Sequence, residues 1–213
     1  MRQESTGEIR PEAEALRPGS HPASDEDPPH PAVTGEDRLP GDPDPRRMVE
    51  AMIRVDHAGE TGAERIYEGQ LAVLGRSRVA PVLREMLEQE RRHRETFDRL
   101  VVERRVRPTL LSPLWHVAGF ALGATTAAMG ERAAMACTVA VEETIDEHYR
   151  NQLRRLGDDE GELRDHIRRF RAEELEHRDT GLAHGAQRAP AYGLLTRAIK
   201  AGSRTAIWLS TRL

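Results

Sequence analysis

Four stretches of the chain place apolar residues at intervals of three and four, the spacing of one face of an α-helix. They cover residues 47–75, 80–104, 139–153 and 162–189, with glycine or proline near their ends. Few runs alternate in the manner of β-strands, and aromatic residues make up 4% of the chain. The pattern therefore predicts an all-α protein with four long core helices.

An apolar segment lies between the second and third of these helices. Residues 114–129 are mostly Ala, Gly, Leu and Thr; Glu131 and Arg132 interrupt the run, which resumes over residues 133–141. We expect one long helix that enters the bundle and has an exposed apolar end touching a membrane. Counted from Thr109, the first run has about 20 residues, the lower limit for a spanning helix, so a membrane span stays as the alternative.

Residues 191–213 predict a last, amphipathic helix. Arg197, Lys200 and Arg204 share one face, while the apolar positions include Trp208. A basic face beside an apolar face with tryptophan is typical of a helix that lies on a membrane surface. Packing of this helix back onto the bundle is an equally weighted alternative.

The first 46 residues differ from the rest in composition. They contain nine of the thirteen prolines and many acidic residues, with almost no apolar clusters, so we expect a disordered tail before a folded domain of residues 47–213. A transit peptide would be poor in acids, and a secretory signal would carry an apolar run. We therefore expect a bacterial protein kept on the cytoplasmic side. The net charge of -4 gives no indication of nucleic-acid binding, and the single Cys137 excludes a disulfide within the chain.

Two copies of the motif Glu-x-x-His carry the candidate chemistry. They are Glu90-x-x-His93 and Glu174-x-x-His177. Residues three apart share a helix face, and here that face is the apolar one. Because ionisable groups are costly to bury without a partner, coordination of a cation would account for their position.

Aligning the two halves of the chain reveals an internal repeat. Glu60 is followed at +7 and +10 by Tyr67 and Gln70, and Glu142 is followed at the same offsets by Tyr and Gln. The alignment selects Glu142 over its neighbour Glu143. It predicts two repeated helical hairpins that form a ferritin-like four-helix bundle with the ligand set of a carboxylate-bridged di-metal site. The six predicted ligands are Glu60, Glu90, His93, Glu142, Glu174 and His177.

Four carboxylates and two imidazoles suit iron or manganese better than zinc. We expect Glu90 and Glu174 to bridge two metals, with one Glu and one His completing each position. Residues that could orient the imidazoles are Glu95, Glu143, Glu173 and Asp179, and candidates for the pocket are Tyr67, His148 and Tyr149.

Several stretches closely resemble the demethoxyubiquinol hydroxylases of ubiquinone biosynthesis. They are residues 54–60, 65–67, 118–124, 134–143, 173–177 and 189–192. The resemblance covers roughly residues 48–213 and carries the family's ligand motif onto the same six residues. It implies two iron ions per subunit, dioxygen and an external electron donor, with a polyprenylated methoxy-methyl-benzoquinol as the substrate.

The resemblance also implies a peripheral protein of the bacterial inner membrane, on its cytoplasmic side. Candidate partners include a lipid-binding accessory protein of ubiquinone biosynthesis and a second copy of the chain. The alternatives are a ferritin-like iron-storage or detoxification protein, a rubrerythrin-like peroxidase, which normally carries a cysteine-bound iron, and a non-enzymatic lipid-binding protein.

Overall fold

The computed structural model describes residues 44–213, which form six α-helices and, within that range, no β-strand. The helices are α1 (Pro45–Leu74), α2 (Ala80–Glu103), α3 (Ser112–Ala128), α4 (Glu131–Leu153), α5 (Gly161–Ala183) and α6 (Tyr192–Ser210). Short 3-10 turns over Asp158–Glu160 and Ala186–Arg188 precede α5 and α6. The prediction of an all-α, ferritin-like fold is confirmed.

Helix α1 begins two residues before the predicted position. The side chain of Asp44 accepts a hydrogen bond from the backbone N–H of Arg46 at 3.0 Å, and Pro45 occupies the first helical turn, where its missing N–H costs nothing. Of the tail predicted to be disordered, residues 1–46, positions 1–43 lie outside the described residues, whereas Pro45 and Arg46 belong to α1.

The core consists of two hairpins, α1–α2 and α4–α5, as the repeat predicts. Helices α1 and α4 run antiparallel. Gln70, near the end of α1, therefore lies beside the start of α4 and donates to the carbonyl of Ala134 at 3.1 Å. One apolar cluster, which includes Phe97, Ile167 and Phe170, fills the bundle toward one end. A second, which includes Leu83, Met135 and Val139, fills it toward the other, and the polar centre lies between them.

The expectation of one long helix over the apolar segment is wrong. Helix α3 ends at Ala128 and α4 begins at Glu131, because Gly130 adopts a φ of +109°, a conformation that L side chains rarely adopt. Its carbonyl accepts hydrogen bonds from the N–H groups of Ala133 and Ala134 and so opens α4. Within residues 44–213, no helix is long and apolar enough to cross a membrane.

Helix α3 lies instead against the outer face of α1, and three glycines allow the close approach. A Cβ atom built on Gly123 would lie 2.0 Å from the carbonyl oxygen of Ile66, and one on Gly69 would lie 2.2 Å from that of Phe120. A Cβ on Gly119 would lie 2.8 Å from the carbonyl of Gly62. The two backbones therefore meet with no room for side chains between them.

Helix α6 packs on α4 through side chains. The side chain of Ile199 is buried, Lys200 pairs with Glu143, and Arg204 donates to Glu147 at 2.9 Å. The alternative that α6 packs back on the bundle is therefore correct. Trp208 on the same helix is nevertheless 55% exposed, so an apolar surface remains.

Helices α3 and α6, the third helix of each half, also contact each other. The indole of Trp115 on α3 donates to Ser210 on α6 at 2.9 Å, and the N–H of Leu110 donates to the carbonyl of Leu213 at 3.3 Å. Each half thus contributes three helices, two to the bundle and one to an outer layer over α1 and α4.

Candidate metal centre

The structure brings all six predicted ligands together in the centre of the bundle. They form two overlapping groups in which one potential ligand atom per residue lies within 4.8 Å of the others, and every member is buried. The groups are Glu60, Glu90, His93 and Glu174, and Glu90, Glu142, Glu174 and His177.

Glu90 and Glu174 belong to both groups, and each directs one oxygen toward each imidazole. Glu174 Oε1 lies 3.1 Å from His93 Nδ1, and its Oε2 lies 3.2 Å from His177 Nδ1. Glu90 Oε1 lies 3.1 Å from His177 Nδ1, and its Oε2 lies 3.9 Å from His93 Nδ1. This is the arrangement expected of two carboxylates that bridge a pair of cations.

Glu60 and Glu142 each have one oxygen tied to a tyrosine from the opposite half. Tyr67 donates to Glu142 Oε1 at 2.8 Å, and Tyr149 donates to Glu60 Oε1. Both tyrosines are buried in the bundle. They hold the terminal carboxylates in place from behind, and neither is among the residues that line the groove described below.

The remaining oxygens and nitrogens test whether these residues fit cations. Eight buried atoms of the six residues have no hydrogen-bond partner in the protein: Glu60 Oε2, Glu142 Oε2, both oxygens of Glu90 and Glu174, and Nδ1 of His93 and His177. Such atoms are costly to bury unpaired. The residues therefore fit a pair of divalent cations, and the donor set of carboxylates and imidazoles suits iron or manganese.

The close packing of buried carboxylates and imidazoles shifts the pKa values of the cluster. Burial, together with the charge of Glu174, raises the pKa of Glu90 to about 8. Burial alone would lower the pKa of His93, but Glu174 and Glu60 outweigh it and raise that pKa to about 12. Burial alone would raise the pKa of Glu174, but the adjacent imidazoles of His177 and His93 hold it below its usual range. The carboxylates and imidazoles of the cluster therefore shift one another's pKa values strongly.

Behind each imidazole lies one further polar side chain. His93 Nε2 lies 2.5 Å from Glu173 Oε2, and His177 Nε2 lies 2.5 Å from Gln89 Oε1. Gln89 was not predicted. Its signal was the repeat, because Gln89 directly precedes Glu90 just as Glu173 directly precedes Glu174.

Of the other acids considered for this role, none contacts an imidazole in the described contacts. Glu143 pairs with Lys200, Asp179 accepts from the adjacent Arg178, and Glu95 is exposed at the surface of α2.

Comparison with known proteins identifies the family. A family model described as ubiquinone biosynthesis protein COQ7 matches residues 47–210, most of the chain. The chain belongs to the COQ7 family. It is 64% identical over 181 residues to the 3-demethoxyubiquinol 3-hydroxylase of Rhodospirillum rubrum, covering 84% of this chain and 85% of that protein. It is 57% identical over 172 residues, 79% of each chain, to a Homo sapiens protein named NADPH-dependent 3-demethoxyubiquinone 3-hydroxylase, mitochondrial.

A groove of about 850 Å³ opens at one end of this COQ7-family bundle. It lies between α1, α4 and α6 and combines apolar with basic side chains: Arg47, Met48, Ala51, Met52, Val55, Arg155, Arg204, Ile207, Trp208 and Arg212 are among those that line it. Of the three residues predicted for a pocket, His148 is the one that lines this groove.

Behind His148 lies a buried acid that the sequence did not reveal. Asp56 Oδ1 lies 3.0 Å from His148 Nε2 and accepts a hydrogen bond from Gln152 at 2.7 Å. Burial raises the pKa of Asp56, although the hydrogen bond and charge of His148 oppose the shift. Asp56 precedes Glu60 by one helical turn, so the groove wall and the ligand cluster share a face of α1.

Proposed function

We propose that this chain is a 3-demethoxyubiquinol 3-hydroxylase that uses two iron ions and dioxygen. The observation that carries the proposal is the set of eight buried, unpartnered ligand atoms, which match both a di-metal site and the family to which the chain belongs. The substrate is a polyprenylated methoxy-methyl-benzoquinol, as the names of the relatives indicate for those proteins.

In this proposal Glu60 and His93 would hold one ion, Glu142 and His177 would hold the other, and Glu90 and Glu174 would contribute to both positions. When bound, the iron pair supplies the activation of dioxygen. One oxygen atom forms the new ring C–O bond and the other leaves as water, with two electrons and two protons taken up from outside. The names of several relatives include NADPH, so we propose a reduced nicotinamide as the electron source here too.

The protein's own residues have three tasks. Tyr67 and Tyr149 hold the terminal carboxylates by hydrogen bonds. The apolar clusters at the two ends of the bundle keep bulk water from the centre. The groove admits the quinol ring past His148, whose imidazole is fixed by Asp56 and can hydrogen-bond a ring hydroxyl.

A direct test compares two adjacent glutamates. Glu142→Gln alters a proposed ligand, whereas Glu143→Gln alters a partner of Lys200 outside the cluster. Purified, iron-loaded proteins would be assayed with a short-chain demethoxyubiquinol analogue under ¹⁸O₂, with mass spectrometry of the quinone. We expect wild type and Glu143→Gln to insert one labelled oxygen and Glu142→Gln to lose at least about 100-fold in turnover. Turnover that survives in Glu142→Gln, or is absent from the wild type, would contradict the proposal.

We further propose peripheral binding to the cytoplasmic face of a bacterial inner membrane. The outer layer and the residues beside its helices expose large apolar side chains, namely Leu110, Leu114, Val117, Leu194, Trp208 and Leu213. The guanidinium of Arg212 lies 4.3 Å from the ring centroid of Trp208, which places a cation beside the apolar surface, as in helices that lie on anionic membranes.

The test is flotation with vesicles that contain anionic lipid. Leu114→Ser combined with Val117→Ser removes apolar area from α3 and should release most of the protein from the vesicles. Val102→Ser is the matched control, because Val102 is 76% exposed on α2, outside the outer layer. Equal binding of the two variants would show that the outer layer does not contact the membrane.

A further inference from the structure

The two proposed metal positions differ in the group behind each imidazole. In both, Nδ1 faces the cluster, so an imidazole that binds a metal ion through Nδ1 carries its proton on Nε2 and donates it outward. For His93 the acceptor is the carboxylate of Glu173, and for His177 it is the amide oxygen of Gln89. Both contacts measure 2.5 Å, so the difference between them is one of charge and not of distance.

This difference departs from an otherwise matched arrangement. Gln89 and Glu173 occupy equivalent positions of the repeat, one on α2 and one on α5, and each reaches the imidazole of the opposite half. The tyrosines that hold the terminal carboxylates are identical in the two halves, as are the bridging residues. Among the side chains described as hydrogen-bonding the six residues of the cluster, the Gln–Glu pair is where the two halves differ.

A carboxylate polarises an imidazole more than an amide does. A hydrogen bond to an ionised acceptor is roughly twice as strong as one between neutral groups, and it raises the basicity of the nitrogen that faces the metal. The side chain of Glu173 is also 29% exposed, so water reaches its carboxylate beside the buried cluster. His93 is therefore the stronger electron donor of the two histidines.

We propose that Glu173 and Gln89 are positioning residues that make the two metal positions unequal. The position of Glu60 and His93 binds a divalent cation first and more tightly, and the ion there is the more easily oxidised. The position of Glu142 and His177 is filled second. The inference rests on the ligand set of the proposed function, but it does not depend on which substrate is hydroxylated.

The test is a titration of the metal-free, full-length protein with Co²⁺, followed by its visible absorption. We expect two binding steps in the wild type whose constants differ by about 10-fold or more. In Glu173→Gln both positions have an amide behind the imidazole, and in Gln89→Glu both have a carboxylate. We expect the two constants to converge in each single variant.

The decisive variant combines Gln89→Glu with Glu173→Gln, because it keeps the composition and net charge and only exchanges the two groups. Adding Glu60→Ala or Glu142→Ala to either protein removes one position and so assigns the steps. We expect the tight step to disappear with Glu60→Ala in the original arrangement and with Glu142→Ala in the exchanged one.

A spectroscopic measurement separates this effect from simple damage to the fold. Mössbauer spectra of the protein loaded with ⁵⁷Fe²⁺ should show two quadrupole doublets in the wild type that converge in each single variant. Two Co²⁺ steps that keep their order after the exchange would overturn the inference and leave the proposed function intact. Absence of Co²⁺ binding from the wild type would overturn both.

Discussion

The contact between α3 and α1 gives a prediction that joins sequence, packing and stability. Gly123→Ala adds one methyl group where the two backbones touch. The new Cβ would lie 2.0 Å from the oxygen, 2.8 Å from the carbon and 3.0 Å from the Cα of Ile66. Since carbon contacts are most favourable near 3.5–4.0 Å, α3 must move outward by about 1.5 Å.

The structure also gives the size of the effect. The atoms that the new methyl group would meet belong to the backbone of α1 and cannot rotate away, so the cost lies near the upper end of the usual about 1–3 kcal/mol for overpacking. Replacing a helical glycine with alanine returns about 1 kcal/mol. The net loss is about 2 kcal/mol, which for a protein of this size lowers the melting temperature by about 4–8 °C.

Thermal unfolding followed by circular dichroism measures the change, and Gly202→Ala on α6 is the control. A Cβ at Gly202 meets nothing within 4 Å, so this variant should melt at or slightly above the temperature of the wild type. If Gly123→Ala melted no lower than Gly202→Ala, the close approach of α3 to α1 would not exist in solution.

Three further predictions concern the centre and the groove. Tyr149→Phe removes the donor to Glu60 and should weaken Co²⁺ binding at the Glu60 position by about 10-fold, while Tyr67→Phe should weaken binding at the Glu142 position. Equal loss at both positions in either variant would contradict the pairing of each tyrosine with the glutamate of the opposite half. Ala51→Trp fills the groove and should raise KM for the quinol without changing the iron content, and an unchanged KM would place the substrate elsewhere. Metal-free protein should lose stability as the pH rises from about 5 to 8. The pKa of Glu90 is raised in the folded state, so the unfolded state releases this proton at lower pH and is favoured as the pH rises. Melting temperatures measured in chelator that stay constant or rise over this window would refute the raised pKa of Glu90.

Much of the fold could be predicted because the chain repeats itself. The periodicity located α1 and α2 within two residues, but α4 begins eight residues before its predicted start and α5 ends six residues before its predicted end. The polar positions on the apolar faces of these helices located the centre. The boundary between α3 and α4 could not be predicted, because Gly130 follows a run already rich in small residues and only its positive φ separates the two helices. That conformation depends on how α3 packs on α1, which the apolar pattern does not encode.

The residues of the site also divide into those that the sequence could select and those that it could not. Glu142 could be selected over Glu143 because its counterpart in the other half is Glu60, and the structure brings Glu142 into the cluster. Asp56 could not be selected, because the equivalent position of the second half is Thr138 and the repeat does not mark it. The two glutamines of the repeat therefore have different partners. Gln152 donates a hydrogen bond to Asp56, whereas Gln70 donates one to a backbone carbonyl.

The contacts behind the ligands cross between the two halves, and this constrains how the site can work. Tyr149 of the second half holds Glu60 of the first, and Glu173 of the second half holds His93 of the first. Neither hairpin alone therefore supplies a complete metal position, since each lacks the groups that orient its own ligands. A symmetric pair of identical hairpins could complete both positions, but it would make them equal. Joining the two hairpins in one chain allows Gln89 in one half to differ from its counterpart Glu173 in the other, and the proposed inequality of the two ions rests on that difference.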